Sequence, residues 1–333
     1  MDAMKIEKNL RQSNIELCRI FAMLLIVLLH STYASFGYPE SLDRSNGLVL
    51  LFSSLSIYGV DVFLLISGYF GIKAKKNSLV NMLFICLFAA VCRFVLDFLL
   101  GSFNYKNVFF LSRSNWFVIS YIGLLILSPV LNSFIENATK KHMGILIVAF
   151  YFYSFYFSIF PAQAPLEPGF NHGCSVIWFA EVYLIGRYFK LYGIPRFMQK
   201  NSIVSLIASI MLIFAGQVLL ISLGFHNKLS WWGAQNQPLV LIAAMSFFII
   251  FTKVHMQSAF INRVAQSTLM VLLIHSPGLT KEWFHFINSE YDIMHATILW
   301  LVGVSAVYIA CTIIDQVRLF VYTKVIKNSW LLR

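Results

Sequence analysis

Runs of about 20 apolar residues, the length needed to cross the hydrocarbon core of a bilayer as a helix, recur along this chain with only short polar breaks between them. They lie near 15–35, 49–72, 79–101, 115–135, 143–161, 175–191, 201–223, 238–253, 266–287 and 295–322, bounded by charged or Pro/Gly-rich segments. Charged residues make up only 12% of the 333-residue chain and hydrophobic ones 59%, whereas soluble domains carry about 25% charged residues. The expected fold is therefore all-α: a polytopic transmembrane bundle of about ten helices, forming one domain over 1–333 with no appended soluble domain.

The net charge of +11 would point to nucleic acid in a soluble protein, but these cations gather beside helix ends, where the positive-inside rule accounts for them. Lys73, Lys75, Lys76, Lys140, Lys141, Arg196, Lys200, Lys253 and Arg263 sort to one side, with both termini. Only Arg44, Lys106, Arg113, Lys228 and Lys281 sort to the other. That asymmetry places both termini in the cytoplasm and leaves nucleic acid out as a partner, with membrane lipid in its place. The five cysteines have no metal-ligand spacing and read as small core residues, so no metal is expected. The first apolar run resembles a signal peptide, but Glu16, Arg19 and His30 interrupt it, and it reads as a retained helix.

An ionisable side chain at bilayer depth costs roughly 2.5–3.5 kcal/mol even on lenient insertion scales, so each one calls for a partner or a role. Arg93 with Asp97, and Asp315 with Arg318, are four and three apart and read as structural ion pairs. Arg19 and His30 differ. Eleven residues at about 100° each put both side chains on one helix stripe, about 16 Å apart along the axis. With the N-terminus inside, Arg19 sits near the cytoplasmic surface and His30 deep in the membrane. An Arg fork matches phosphate, and an imidazole removes a proton from a hydroxyl near neutral pH. That arrangement suits acetyl-CoA, whose phosphates and thioester lie at opposite ends of a long arm. It equally suits an Arg that marks the boundary and a His that bonds across helices.

Further residues favour the first reading. Ile15-Glu16-Leu17-Cys18-Arg19 followed by His30, and the run from Gly59-Val60-Asp61-Val62-Phe63 to Ser67-Gly68-Tyr69, resemble the acyltransferase-3 family of membrane acyltransferases. Asn115-Trp116-Phe117, Tyr183-Leu184-Ile185-Gly186-Arg187 and Leu272-Leu273-Ile274-His275 are weaker matches that spread the resemblance over most of the chain. The resemblance implies a membrane-bound O-acyltransferase of the bacterial plasma membrane. It would move an acyl group, acetyl foremost, from cytoplasmic acyl-CoA to a hydroxyl of a cell-envelope glycan or lipid-linked saccharide. It assigns catalysis to His30 and donor binding to Arg19, with Ser67 and the cations Lys73, Lys75 and Lys76 nearby. Glu181, Asp61, Asn115, Trp116 and His275 are the candidates for acceptor contact, His275 also as a second acid or base. Many family members append a soluble domain that completes the transfer outside, so a separate partner there is one expectation and direct transfer the other. The competing function is a transporter of polysaccharide or acylated intermediates. It is expected to use broken helices in symmetric halves, and Pro277-Gly278 is the one candidate break in sequence.

Overall fold

The computed structural model describes residues 11–73, 76–99, 116–159, 171–275 and 277–326, and every regular element among them is helical. In chain order these are α1 (Ser13–Ser31), the single turn α2 (Tyr33–Phe36), α3 (Arg44–Ser56), α4 (Gly59–Phe70), α5 (Lys76–Leu99), α6 (Trp116–Asn137), α7 (Lys140–Ile159), α8 (Val176–Tyr192), α9 (Arg196–Ser222), the short α10 (Leu229–Trp232), α11 (Pro238–Thr252), α12 (Ala259–Val264), α13 (Thr268–Ile274), α14 (Pro277–Glu290) and α15 (Ile293–Val321). Six helical stretches are long and apolar enough to span a bilayer, and two shorter apolar ones, Pro238–Thr252 and Ala259–Ile274, accompany them. The chain is an all-α, multi-pass membrane bundle.

Burial separates its centre from its rim. In the most apolar window of Arg44–Phe70, 83% of residues are buried, against 17% in that of Arg196–Ser222. The outer helices turn Phe98, Ile126, Val204 and Phe260 outward, each at least two-thirds exposed. Such a surface would aggregate in water and is the expected finish where lipid is the solvent. Because lipid removes most of the hydrophobic drive between helices, small residues and polar contacts carry the packing. At the crossing of α4 and α8, a Cβ on Gly68 would stand 2.3 Å from the Tyr183 carbonyl oxygen, and one on Gly186 would stand 2.4 Å from that of Leu65. Two backbones meet there with no room for a methyl group.

The loops that the charge pattern groups together meet at one end of the bundle. Arg11 donates to the carbonyl of Asn262, Asn14 to that of Phe251, and Lys253 to Ser202 Oγ at 2.9 Å. At the opposite end His285 meets the Ser35 carbonyl, Asn288 meets Ser45 and Gln235 donates to the Ile57 carbonyl.

Two apolar runs correct the sequence reading. The run 49–72 falls almost wholly in one span, Arg44–Phe70, but a turn at Ile57–Tyr58 divides it into α3 and α4. Ser54 and Ser56 hydroxyls bond back to the carbonyls of Leu50 and Phe52, which bends a helix. Gly59 then brings α4 onto α1, where an added Cβ would lie 2.9 Å from the Ala22 carbonyl oxygen. The run 266–287 also divides, because α13 ends at Ile274 and α14 starts afresh at Pro277. Proline cannot continue the preceding helix, and the residue before it is pushed out of the α region.

Candidate active site

That second break fixes a histidine. His275 caps α13 with φ −60° and ψ 120°. Its ring Nδ1 lies 2.6 Å from the Val271 carbonyl oxygen, which also accepts the His275 backbone N–H at 3.0 Å. A carbonyl only accepts, so Nδ1 carries the proton and the neutral ring keeps a bare Nε2. That Nε2 faces Nδ1 of His30 at 2.6 Å, with the two rings 4.9 Å apart between centroids and 18° from parallel. The network thus assigns the proton between them to His30 Nδ1 and leaves the lone pair of His30 on Nε2.

His30 itself is held by the end of α1. Its carbonyl accepts from Ser35 Oγ at 3.1 Å. The adjacent Ser31 bonds Leu28 and receives Trp300 Nε1–H at 2.7 Å, which ties α1 to α15. His30 lines a cavity of about 50 Å³ together with Ile26, Val60, Trp116, Phe117, Val118, Leu272 and Leu273. Among these it is the ionisable one.

A larger cavity of about 280 Å³ lies toward the basic end. Arg11, Arg19 and Arg318 line it, along with Ser67, Asn81, Tyr121 and Gln266, and Phe117 belongs to both cavities. The arginines are not bare. Arg19 donates to Glu16 at 2.9 Å and Arg11 stands 4.0 Å from the same carboxylate. Arg318, 1% exposed, makes a two-pronged pair with the buried Asp315 and reaches Asn81. Two carboxylates among three guanidiniums leave one positive charge in excess. The geometry suits an anion and discourages a cation.

Asp61 and Glu181 form a separate polar centre between α4, α7 and α8. Both are fully buried. Asp61 Oδ1 accepts from Trp178 Nε1 and Glu181 Oε2 from Ser154 Oγ, each at 2.9 Å. The other oxygen of each carboxyl has no hydrogen-bond partner among the described residues.

The sequence candidates therefore fall into groups. His30 and Trp116 line the small cavity and His275 bonds to His30, while Arg19 and Ser67 share the large cavity. Asp61 and Glu181 bond to neither histidine, so the partner that orients His30 is His275. Lys73 and Lys76 are exposed and line neither cavity. Lys75, Asn115 and the Asp97 side chain lie outside the described residues, and with the last the ion pair read for Arg93. The Asp315–Arg318 pair forms as the spacing indicated, yet its arginine also faces the anion cavity, which spacing alone does not reveal. Arg11 and Phe117 are cavity residues outside the candidates the sequence indicates, although Phe117 stands beside Trp116 in the motif that contains both.

No curated protein and no solved structure matches the chain. A family model described as an acyltransferase domain matches residues 12–315, nearly the whole length over which these cavities and helices lie. The chain belongs to the acyltransferase-3 family and is a membrane acyltransferase.

Proposed function

We propose that the protein is an O-acyltransferase of the bacterial plasma membrane that takes acetyl or another acyl group from cytoplasmic acyl-CoA and passes it to a hydroxyl of a cell-envelope glycan or lipid-linked saccharide. The observation that carries this reading is the assigned proton order, His30 Nδ1 to His275 and His275 Nδ1 to Val271, which leaves a base at His30 beside a cavity adjoining the arginine-lined one. On this reading acyl-CoA enters from the basic end. Its phosphates meet Arg19, with Arg11 and Arg318, and Ser67 lies along the arm. The 16 Å or so between Arg19 and His30 is the span the pantetheine arm bridges.

His30 Nε2 takes the proton of the acceptor hydroxyl as its oxygen bonds to the thioester carbonyl carbon. Collapse of the tetrahedral intermediate breaks the carbon–sulfur bond, and the thiolate takes the proton from His30. Ester and free CoA leave, and the histidine pair returns to its starting state. His275 acts through His30: its bare Nε2 holds the attacking ring in the basic tautomer and stabilises the imidazolium that forms. Trp116, only partly buried where α6 begins, offers a flat face to a sugar ring. Asp61, which follows the cavity residue Val60, and Glu181 remain the candidates for further acceptor hydroxyls, each with one buried oxygen that has no hydrogen-bond partner among the described residues. Comparing envelope glycans from cells with and without the gene by mass spectrometry tests the reading. Loss of an acyl mass, restored by the wild-type gene and not by His30→Ala, supports it, and identical glycans refute it.

A further inference from the structure

The cavity beside His30 is notable for its size as well as its apolar lining. Its volume of about 50 Å³ is on the scale of a few water molecules, which suits a short acyl group. An acetyl group brings three heavy atoms and a propionyl group four. A butyryl group brings five, and each added methylene presses further on the lining.

The walls are stiff for local reasons. Val60 and Val118 are buried in the main core, and both are β-branched residues in helices, where one side-chain rotamer dominates. Behind Val60 there is no slack, because Gly59 already brings the α4 backbone against the Ala22 carbonyl and the Ile26 side chain. Leu272 packs on the same core from α13, one turn before the break that sets His275. Interiors this closely packed resist even one added methylene.

We infer that Val60, Val118 and Leu272 gauge the acyl chain, favouring groups of two or three carbons over longer ones. The inference rests on the donor assignment above and adds to it the residues that set chain length. One methylene too many in a fitted apolar pocket changes discrimination by about 10-fold or more.

The test is competition against radiolabelled acetyl-CoA bound to the purified full-length protein, with free CoA, propionyl-CoA and butyryl-CoA as competitors. Propionyl-CoA is expected to compete like acetyl-CoA, and butyryl-CoA at least about 10-fold more weakly. Val60→Ala and Leu272→Ala are each expected to recover that loss, while free CoA, which lacks the acyl group, competes as before. If the widened variants fail to bind CoA, Val60→Ile decides: it narrows the cavity and is expected to weaken propionyl-CoA while still binding acetyl-CoA. Butyryl-CoA competing as well as acetyl-CoA in the wild type, or an acyl-length profile unmoved by these substitutions, overturns the gauge and leaves the donor assignment standing. Failure of the wild type to bind labelled acetyl-CoA at all overturns both.

Discussion

Nδ1 of His30 stands 2.6 Å from Nε2 of His275, and the Val271 carbonyl decides which of the two carries the proton. A histidine pair in a low-dielectric site is ambiguous in isolation. A fixed acceptor at its far end orders it, and the order runs toward the cavity.

His275 is a positioning residue on this account, so its loss has a recognisable kinetic form. His275→Ala should lower kcat by about 10²-fold, within the range general-base catalysis contributes, and leave KM for acyl-CoA little changed. His275→Gln, whose amide oxygen can still accept from His30 Nδ1, should retain more activity than the alanine variant. A purely structural role would instead lower both variants together through loss of folded protein.

The pH profile carries a defined sign. Protonation of His30 Nε2 removes the lone pair that attacks the hydroxyl proton, so kcat should fall as the medium is acidified and level off above the titration. A rate that stays flat across the acid limb removes general-base chemistry from the site.

At the basic end the Arg19 guanidinium already has one carboxylate partner, Glu16, at 2.9 Å. Arg19→Ala should weaken acyl-CoA binding by about 10-fold or more, the loss expected for one charged hydrogen bond of about 1.5–3 kcal/mol. Arg19→Lys should recover only part of it, because a point charge does not reproduce the planar fork. Equilibrium binding to the purified protein reads both.

Much of this was legible in the sequence, and the part that was not has physical causes. The apolar runs announce the bundle because lipid imposes length and composition on every spanning helix. Arg19 and His30 align because they share one uninterrupted helix, where spacing translates directly into geometry. The His30–His275 bond joins residues 245 positions apart, and helical periodicity is silent about which helix faces which. The break at Ile57–Tyr58 was hidden because Ser53, Ser54 and Ser56 look like ordinary small residues until their hydroxyls are seen to bond the backbone. Lys73 and Lys76 are exposed cations near in sequence to Ser67, while the cations that line the large cavity are the arginines on α1 and α15 and Arg11 just before α1.

Stability has two focal points. Gly186→Leu should abolish folding, since its Cβ would meet the Leu65 carbonyl oxygen at 2.4 Å and the Tyr69 backbone nitrogen at 2.8 Å. Gly144→Ala, whose added Cβ would meet only the Tyr188 ring at ordinary contact distance, 3.8 Å, should be tolerated. Thermal unfolding of the purified variants separates the two.

Asp315→Asn leaves Arg318, 1% exposed, without its counter-charge, and should destabilise the protein by about 3–5 kcal/mol. Replacing both members with apolar residues should cost less stability while still weakening acyl-CoA binding, because Arg318 lines the anion cavity. Melting temperature and ligand affinity should therefore move independently across the pair.

The decisive measurement is single-turnover acyl transfer by purified His30→Ala preloaded with labelled acyl-CoA and mixed with the acylatable envelope glycan. Binding equal to wild type with transfer slower by about 10²–10⁴-fold is the expected result for a lost general base. Transfer at the wild-type rate from the loaded variant would contradict it.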